Sequence, residues 1–277
     1  MNIIRFLGRG VYHEDNGVPC QDRAKYRYAN NGNVILALSD GCSSSAYAEA
    51  AAEVNVDTVI RLFSGCTLAE FLKTKKNASD VIDPILEAMK KRAPKQFEKD
   101  PSDFSATLLF AVTDGKDVLL GHIGDGNILC VNDDGATSFY SEEENIGAAN
   151  RTYFTVSDNA KGHLRLNLVP AADVRNILLY PDGPQKMLWY RGDKNIETAA
   201  TDLAGRVRDG EITNCAQLAD TLTEMTSDAM YQLMDDWSML VLDTRQKQCR
   251  DLTFDPVSLK QNFMKHFAPA DAEKEAR

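Results

Sequence analysis

No stretch of this sequence approaches the roughly 20 consecutive apolar residues that span a bilayer. The opening residues, Met1-Asn2-Ile3-Ile4-Arg5, lack the basic segment, long apolar run and cleavage site of a secretory signal. A cytoplasmic protein is therefore expected, with no membrane partner. Cysteine occurs at positions 20, 42, 66, 130, 215 and 249, but never as a Cys-x-x-Cys pair. That scatter argues against a zinc site or a disulfide scaffold and for reduced thiols. Positive charge is in deficit too: 31 Lys and Arg stand against 41 Asp and Glu, a formal net charge of −10. So acidic a surface repels nucleic acid and anionic lipid, and neither is an expected partner. No internal repeat, low-complexity block or long linker divides the chain.

What is present suits one large core, since 43% of the 277 residues are hydrophobic. Short apolar runs rich in β-branched residues read as strands at 33–39, 105–112, 118–123, 127–131, 153–156, 163–169, 176–180 and 237–242. Helical spacing marks 46–63, preceded by serines placed to cap it, and also 79–92, 196–207, 215–233 and 257–267. Strict strand-helix-strand alternation is missing, so a doubly wound parallel sheet does not fit. The expected class is α+β: two antiparallel β-sheets in a central sandwich, flanked by helices.

Aspartate recurs at the edges of these runs. Asp40-Gly41 follows VILALS, Asp125-Gly126 follows LLGHIG and Asp182-Gly183 follows ILLYP. Asp235-Asp236 precedes WSMLVL, and Asp22 sits in Pro19-Cys20-Gln21-Asp22-Arg23 before another strand. Asp-Gly is the commonest hairpin signal, and Asp114-Gly115, Asp134-Gly135 and Asp209-Gly210 read as turns. Asp40 and Asp182 differ, because neither glycine leads quickly into a second strand. Carboxylates gathered within about 4–6 Å repel, and some stay protonated unless a cation joins them. Mg²⁺ and Mn²⁺ take oxygen ligands, and a glycine beside an aspartate lets a backbone carbonyl approach the same ion.

The order of the pieces is more specific than any one of them. Gln21-Asp22 comes first, then Ser39-Asp40-Gly41 and a helix. Phe104-Ser105-Ala106-Thr107, Gly121-His122-Ile123-Gly124-Asp125, Asp182-Gly183 and Asp235-Asp236-Trp237-Ser238 follow. This series resembles the metal-dependent protein phosphatases of the 2C type, and Asn150-Arg151-Thr152 resembles a bacterial branch of them. The resemblance implies a two-metal centre at one end of the sandwich, holding Mn²⁺ or Mg²⁺. Asp40 would bridge both ions, the Gly41 carbonyl would bind one, and Asp182 and Asp235 would hold the other. Asp22 would orient water, and Asp125 would lie near a weaker third ion. A hydroxide shared by the two ions would attack phosphorus in line, on phosphoserine or phosphothreonine proteins made by a cognate kinase. Residues 1–245 would form this domain, with 246–277 as a helical extension packed on it.

Several positions depart from the family pattern. Gln21 stands where a metal-binding Glu is usual, which removes one negative charge. Cys42 follows Asp40-Gly41 where some members carry a histidine, and reads as a packing residue. The phosphate-binding arginine has no clear match; His13 is the nearest candidate, as phosphate contact or proton donor, and is otherwise a surface-loop histidine. Lys186 falls where the third ion's second ligand would be, which argues against a stable third site. His122 reads as a core histidine, Arg23 as pointing away from the site, and Glu142-Glu143-Glu144 as a solvated loop. These departures keep a second function open, a catalytically weak or inactive phosphatase-like binding module. A small-molecule phosphatase on the same scaffold is a third.

Overall fold

The computed structural model describes residues 1–74, 77–147, 151–184, 202–207, 209–212, 217, 221, 235–245 and 250–253. Within them the chain builds two sheets. One holds six strands in the order β11-β1-β10-β9-β6-β7. These are β1 (Asn2–Gly8), β6 (Asn127–Val131), β7 (Thr137–Ser141), β9 (Asn176–Tyr180), β10 (Trp237–Asp243) and β11 (Arg250–Thr253). The other runs β2-β3-β4-β5-β8, from β2 (Arg23–Tyr28), β3 (Val34–Ser39), β4 (Leu108–Thr113), β5 (Asp117–Ile123) and β8 (Arg165–Pro170). Every pairing is antiparallel except β1 with β11. The helices are α1 (Val11–Asp15), α2 (Ala48–Gly65), α3 (Leu68–Thr74), α4 (Ser79–Arg92), α5 (Pro94–Lys99) and α6 (Ala160–His163).

The continuous apolar run of β3 follows from its position, since it is buried on both faces. Alternate side chains point to opposite sides of a strand. Leu36 and Leu38 accordingly join Leu109, Leu120, Ile128, Leu179 and Leu240 between the sheets. Ile35 and Ala37 face the helices with Phe110, Val59, Phe63 and Ile85. Phe63 of α2 ties the layers together, with ring centroids 4.8 Å from Phe71 and 5.8 Å from Phe110.

Several sequence expectations need correction. The serines before α2 do not cap it; its N-cap is Tyr47 and no side chain bonds there. The Ser45 hydroxyl instead donates to the Ser102 carbonyl, and Tyr47 N–H to the Asp103 carbonyl. Residues 153–156 form no strand: only Thr152 bridges to Asn145, and a turn follows. β1 and β7 carry polar residues that masked their strand character, and the short α3 and α5 offered too few turns for a periodic signal. The segment beyond residue 245 contributes β11, a strand hydrogen-bonded to β1, while the helix expected at 257–267 lies outside the described residues. So do 196–201 and all of 215–233 but 217 and 221, while 202–207 is helical.

Candidate metal centre

Topology carries the aspartates to one end of the sandwich. β2 and β3 are antiparallel, so Asp22 at the start of one lies beside Asp40 at the end of the other. β5 runs in the same direction as β3, two strands away, and delivers Asp125 to the same edge where the chain crosses to the other sheet. There, Asn127 pairs with Tyr180, so the end of β9 carries Asp182 to that crossing. β10 is antiparallel to β9, which brings Asp235 alongside. The result is a pocket of about 400 Å³. Gln21, Asp40, Gly41, Cys42, Ser43, Thr107, Asp125, Thr152, Phe154, Asp182 and Asp235 line it.

Backbone contacts fix the carboxylates. Thr107 grips Asp40 from both sides: its N–H donates to the Asp40 carbonyl at 2.8 Å, and its Oγ1 accepts from Asp40 N–H at 3.0 Å. The glycines of the site are there for close approach. A Cβ on Gly41 would lie 2.8 Å from the Ala48 carbonyl, and one on Gly183 only 2.1 Å from the Asp236 carbonyl oxygen. The turn glycines Gly115 and Gly135 are the opposite case, with φ of +87° and +82°. A Cβ on Gly115 would meet nothing within 4 Å. The same dipeptide thus serves two purposes, a left-handed turn in one set and tight backbone packing in the other.

Asp236 anchors the segment that carries Gln21. One carboxyl oxygen accepts Gly10 N–H at 2.7 Å; the other accepts Gln21 N–H at 2.6 Å and lies 2.9 Å from His13 Nδ1. Asp22 is fully buried, accepts a hydrogen bond from Ser238 Oγ at 2.6 Å, and is hydrogen-bonded to Asp40. Burial first, and then Asp236, push the Asp22 carboxyl well above the ordinary carboxylate range. Asp40 is pushed the same way, by burial and then by Asp22, Asp182, Asp235 and Asp125. Such mutual repulsion is what a dication cancels.

The donor set fits hard cations. Its side chains are carboxylates and an amide, and Gln21 Oε1 is buried without a hydrogen-bond partner in the protein. No Lys, Arg or His is among the described residues that line the pocket. As the side chains stand, no group of three or more His, Cys, Asp or Glu among the described residues forms a ready-made ion cluster. Oxygen from Gln21, the Gly41 carbonyl and water would have to complete the coordination.

Of the residues singled out in the sequence, Gln21, Asp40, Gly41, Asp125, Asp182 and Asp235 meet at the pocket, and Asp22 lies buried behind Asp40. His13 does not line the pocket: α1 turns its ring inward against Asp236, where it is 4% exposed. Cys42 is no core packing residue. It lines the pocket half-buried, with Sγ 3.2 Å from Ser44 Oγ. Arg23 faces away and pairs with Glu49. His122 is a core histidine. It accepts from Arg165 at Nδ1, which leaves Nε2–H for the Gly124 carbonyl, and burial holds its pKa down to about 3. Glu144 is not simply solvated, since it bonds His163 Nδ1 at 2.8 Å and its carbonyl accepts Thr152 Oγ1 at 2.6 Å. Phe154 escaped the sequence reading, because 153–156 read only as a strand; Thr152 stood out within Asn150-Arg151-Thr152 but was given no place at the site. Lys186 and Asn150 lie outside the described residues.

The family pattern described as protein phosphatase 2C matches residues 9–223. Among solved structures, a bacterial serine phosphatase aligns with a TM-score of 0.62 at 15% identity, covering 88% of this chain and 98% of that one. The serine/threonine phosphatase Stp1 from Staphylococcus aureus aligns with a TM-score of 0.60 at 14% identity, covering 88% and 95%. The catalytic domain of the serine/threonine protein phosphatase PstP, in complex with 2 manganese ions, aligns with a TM-score of 0.58 at 17% identity, covering 87% and 96%. At these identities the likeness establishes the shared fold. No curated protein matched the sequence.

Proposed function

Because the chain belongs to the protein phosphatase 2C family, we propose that it is a Mn²⁺- or Mg²⁺-dependent phosphatase of phosphoserine and phosphothreonine proteins. The observation that carries this reading is the convergence of Asp40, Asp125, Asp182 and Asp235 on one pocket, with Asp40 pushed toward its protonated form by burial first and then by the neighbouring carboxylates. Asp40, the Gly41 carbonyl and Gln21 would hold one dication, and Asp40, Asp182 and Asp235 a second. When bound, such a pair lowers the pKa of water and neutralises phosphoryl oxygens.

The chain's own residues supply position and proton control. Asp22 accepts from Ser238 and contacts Asp40, so it is placed to keep a proton or a water oriented at the Asp40 carboxyl. His13 acts at a distance, through Asp236, by holding the segment that presents Gln21. Thr152 and Phe154 form part of the wall of the same pocket, and the substrate side chain would rest against them. No cysteine or serine nucleophile is required. The reading takes the protein as cytoplasmic and opposed to a cognate kinase, in keeping with the free thiols of Cys20, Cys42 and Cys130.

Hydrolysis of p-nitrophenyl phosphate with added Mn²⁺ tests the proposal. Asp40→Asn and Asp182→Asn should each lose nearly all turnover while remaining folded. Wild-type rates in both would end the reading. A second reading, a binding module without turnover, draws on Gln21 in place of an acid and on the lack of cations among the described lining residues. A calorimetric Mn²⁺ titration separates the two: a tight site with metal-dependent turnover supports the enzyme, and neither supports the module.

A further inference from the structure

Helix α2 is apolar where it faces the sheet, and Asn55 breaks that pattern. It is wholly buried, on the same face as Ala51, Ala52, Val56 and Val59. An amide in such surroundings is unfavourable unless its donors and acceptor are met. Here they are met. Nδ2 donates to Ser39 Oγ at 3.1 Å and to the Thr107 carbonyl at 3.0 Å, and Oδ1 accepts from Thr155 Oγ1 at 3.2 Å. A carbonyl can only accept, so Thr107 dictates which way the amide faces. The Ser39 hydroxyl donates to that same carbonyl, which leaves its lone pairs for Asn55.

Each partner leads to the pocket. Ser39 precedes Asp40, and Thr107 grips the Asp40 backbone. Thr155 follows Phe154, and its N–H donates to the Ala106 carbonyl at 3.1 Å. An apolar side chain of similar size could fill the space but could not join these three segments. We propose that Asn55 is a positioning residue, holding the Asp40 strand end and the Thr152–Phe154 wall at a fixed separation. For its kinetic readout this rests on the phosphatase reading above; its metal-binding readout does not.

The test pairs Asn55→Leu with Thr155→Val, which removes the wall-side bond to Asn55 and the longer Oγ1 contact with the Ala106 carbonyl at 3.4 Å, and keeps the Thr155 N–H bond to that carbonyl. Each is measured by Mn²⁺ calorimetry, by kcat and KM for p-nitrophenyl phosphate, and by thermal unfolding. Asn55→Leu should weaken Mn²⁺ binding and lower kcat, each by about tenfold or more, as loss of an outer support to a metal ligand does. Thr155→Val should raise KM about threefold or more with kcat within about twofold, because it frees the wall and leaves Asp40 held. A purely structural amide gives another pattern: fewer folded molecules lower the apparent kcat and the binding stoichiometry, without moving KM or the Mn²⁺ affinity. Wild-type KM and Mn²⁺ affinity in both variants, at any melting temperature, would overturn the proposal. Should Asn55→Leu lack a cooperative transition, Thr155→Val decides alone, and an unchanged KM overturns it. If the wild type shows no turnover, the phosphatase reading fails, and the Mn²⁺ affinities of the variants decide the role of Asn55.

Discussion

Replacing Gly183 with alanine should disable the site without unfolding the protein, and the size of the effect follows from one contact. The added Cβ would fall 2.1 Å from the Asp236 carbonyl oxygen, whereas real Cβ atoms essentially never come closer than 3.0 Å. The obstacle is backbone and cannot rotate aside, so the two segments must part by at least 0.9 Å, the gap between those values. Asp182 lies next to one side of this contact and Asp235 next to the other. They are therefore driven apart by about an ångström, enough to cost on the order of 100-fold in kcat/KM. That loss corresponds to about 2.7 kcal/mol of transition-state stabilisation. Gly115→Ala is the matched control. Its φ of +87° strains any L-residue, yet nothing lies within 4 Å of the new methyl. It should cost about 1–2 kcal/mol of stability and leave turnover per folded molecule unchanged. Steady-state hydrolysis of p-nitrophenyl phosphate at saturating Mn²⁺, with thermal unfolding alongside, reads both. A folded Gly183→Ala protein with kcat/KM within about threefold of wild type would refute the reasoning, because Asp182 and Asp235 would then not need their present separation.

Two further outcomes follow from the charges. Gln21→Glu adds a carboxylate beside a proposed cation and should tighten Mn²⁺ binding about tenfold, or about 1.4 kcal/mol; unchanged or weaker affinity by calorimetry would take Gln21 away from the ion. Asp22 and Asp40 have pKa values raised above the ordinary 3.8, so their protonated forms are favoured in the folded state. Their contribution to metal-free stability is full below that value and is lost as pH rises through the raised ones. Mn²⁺ at about 100 times its dissociation constant adds about 2.7 kcal/mol, and proton competition makes that gain larger at higher pH. Melting temperatures with Mn²⁺ and with chelator should therefore diverge increasingly as pH rises above the ordinary carboxylate value of 3.8. Parallel curves would mean that the two carboxyls do not share the cation site.

Much of the fold could be read from local pattern. The runs at 127–131 and 176–180 coincide with β6 and β9, and 79–92 with α4, because each is strongly apolar at one period and bounded by turn residues. β1 hid because its apolar residues come in adjacent pairs around Arg5 without alternation, β7 because Thr137, Ser138 and Ser141 leave it few apolar positions, and β11 because it lies in a stretch of mixed polarity with no pattern at all. Among the site residues, an aspartate flanking a buried strand was legible because a charge there has few structural excuses. Phe154 and Asn55 were not, since a phenylalanine or a helical asparagine is unremarkable until its neighbours are known, and Thr152 belonged to a motif that did not say where its side chain would lie. His13 and Cys42 show the same limit from the other side. Their positions next to the motifs suggested roles, but the direction of each side chain reversed the assignment.

By itself the amino-acid order determined the strongly patterned strands and helices, the two-sheet class and the set of acids at the strand ends, because backbone periodicity and turn chemistry act over a few residues. Only the tertiary structure decided which of those acids share a pocket, which glycines are turns and which are close contacts, and where a histidine or a thiol points. Those outcomes depend on approaches of an ångström or so between segments as much as 226 residues apart, as between Gly10 and Asp236, and local sequence exerts no force over such a separation.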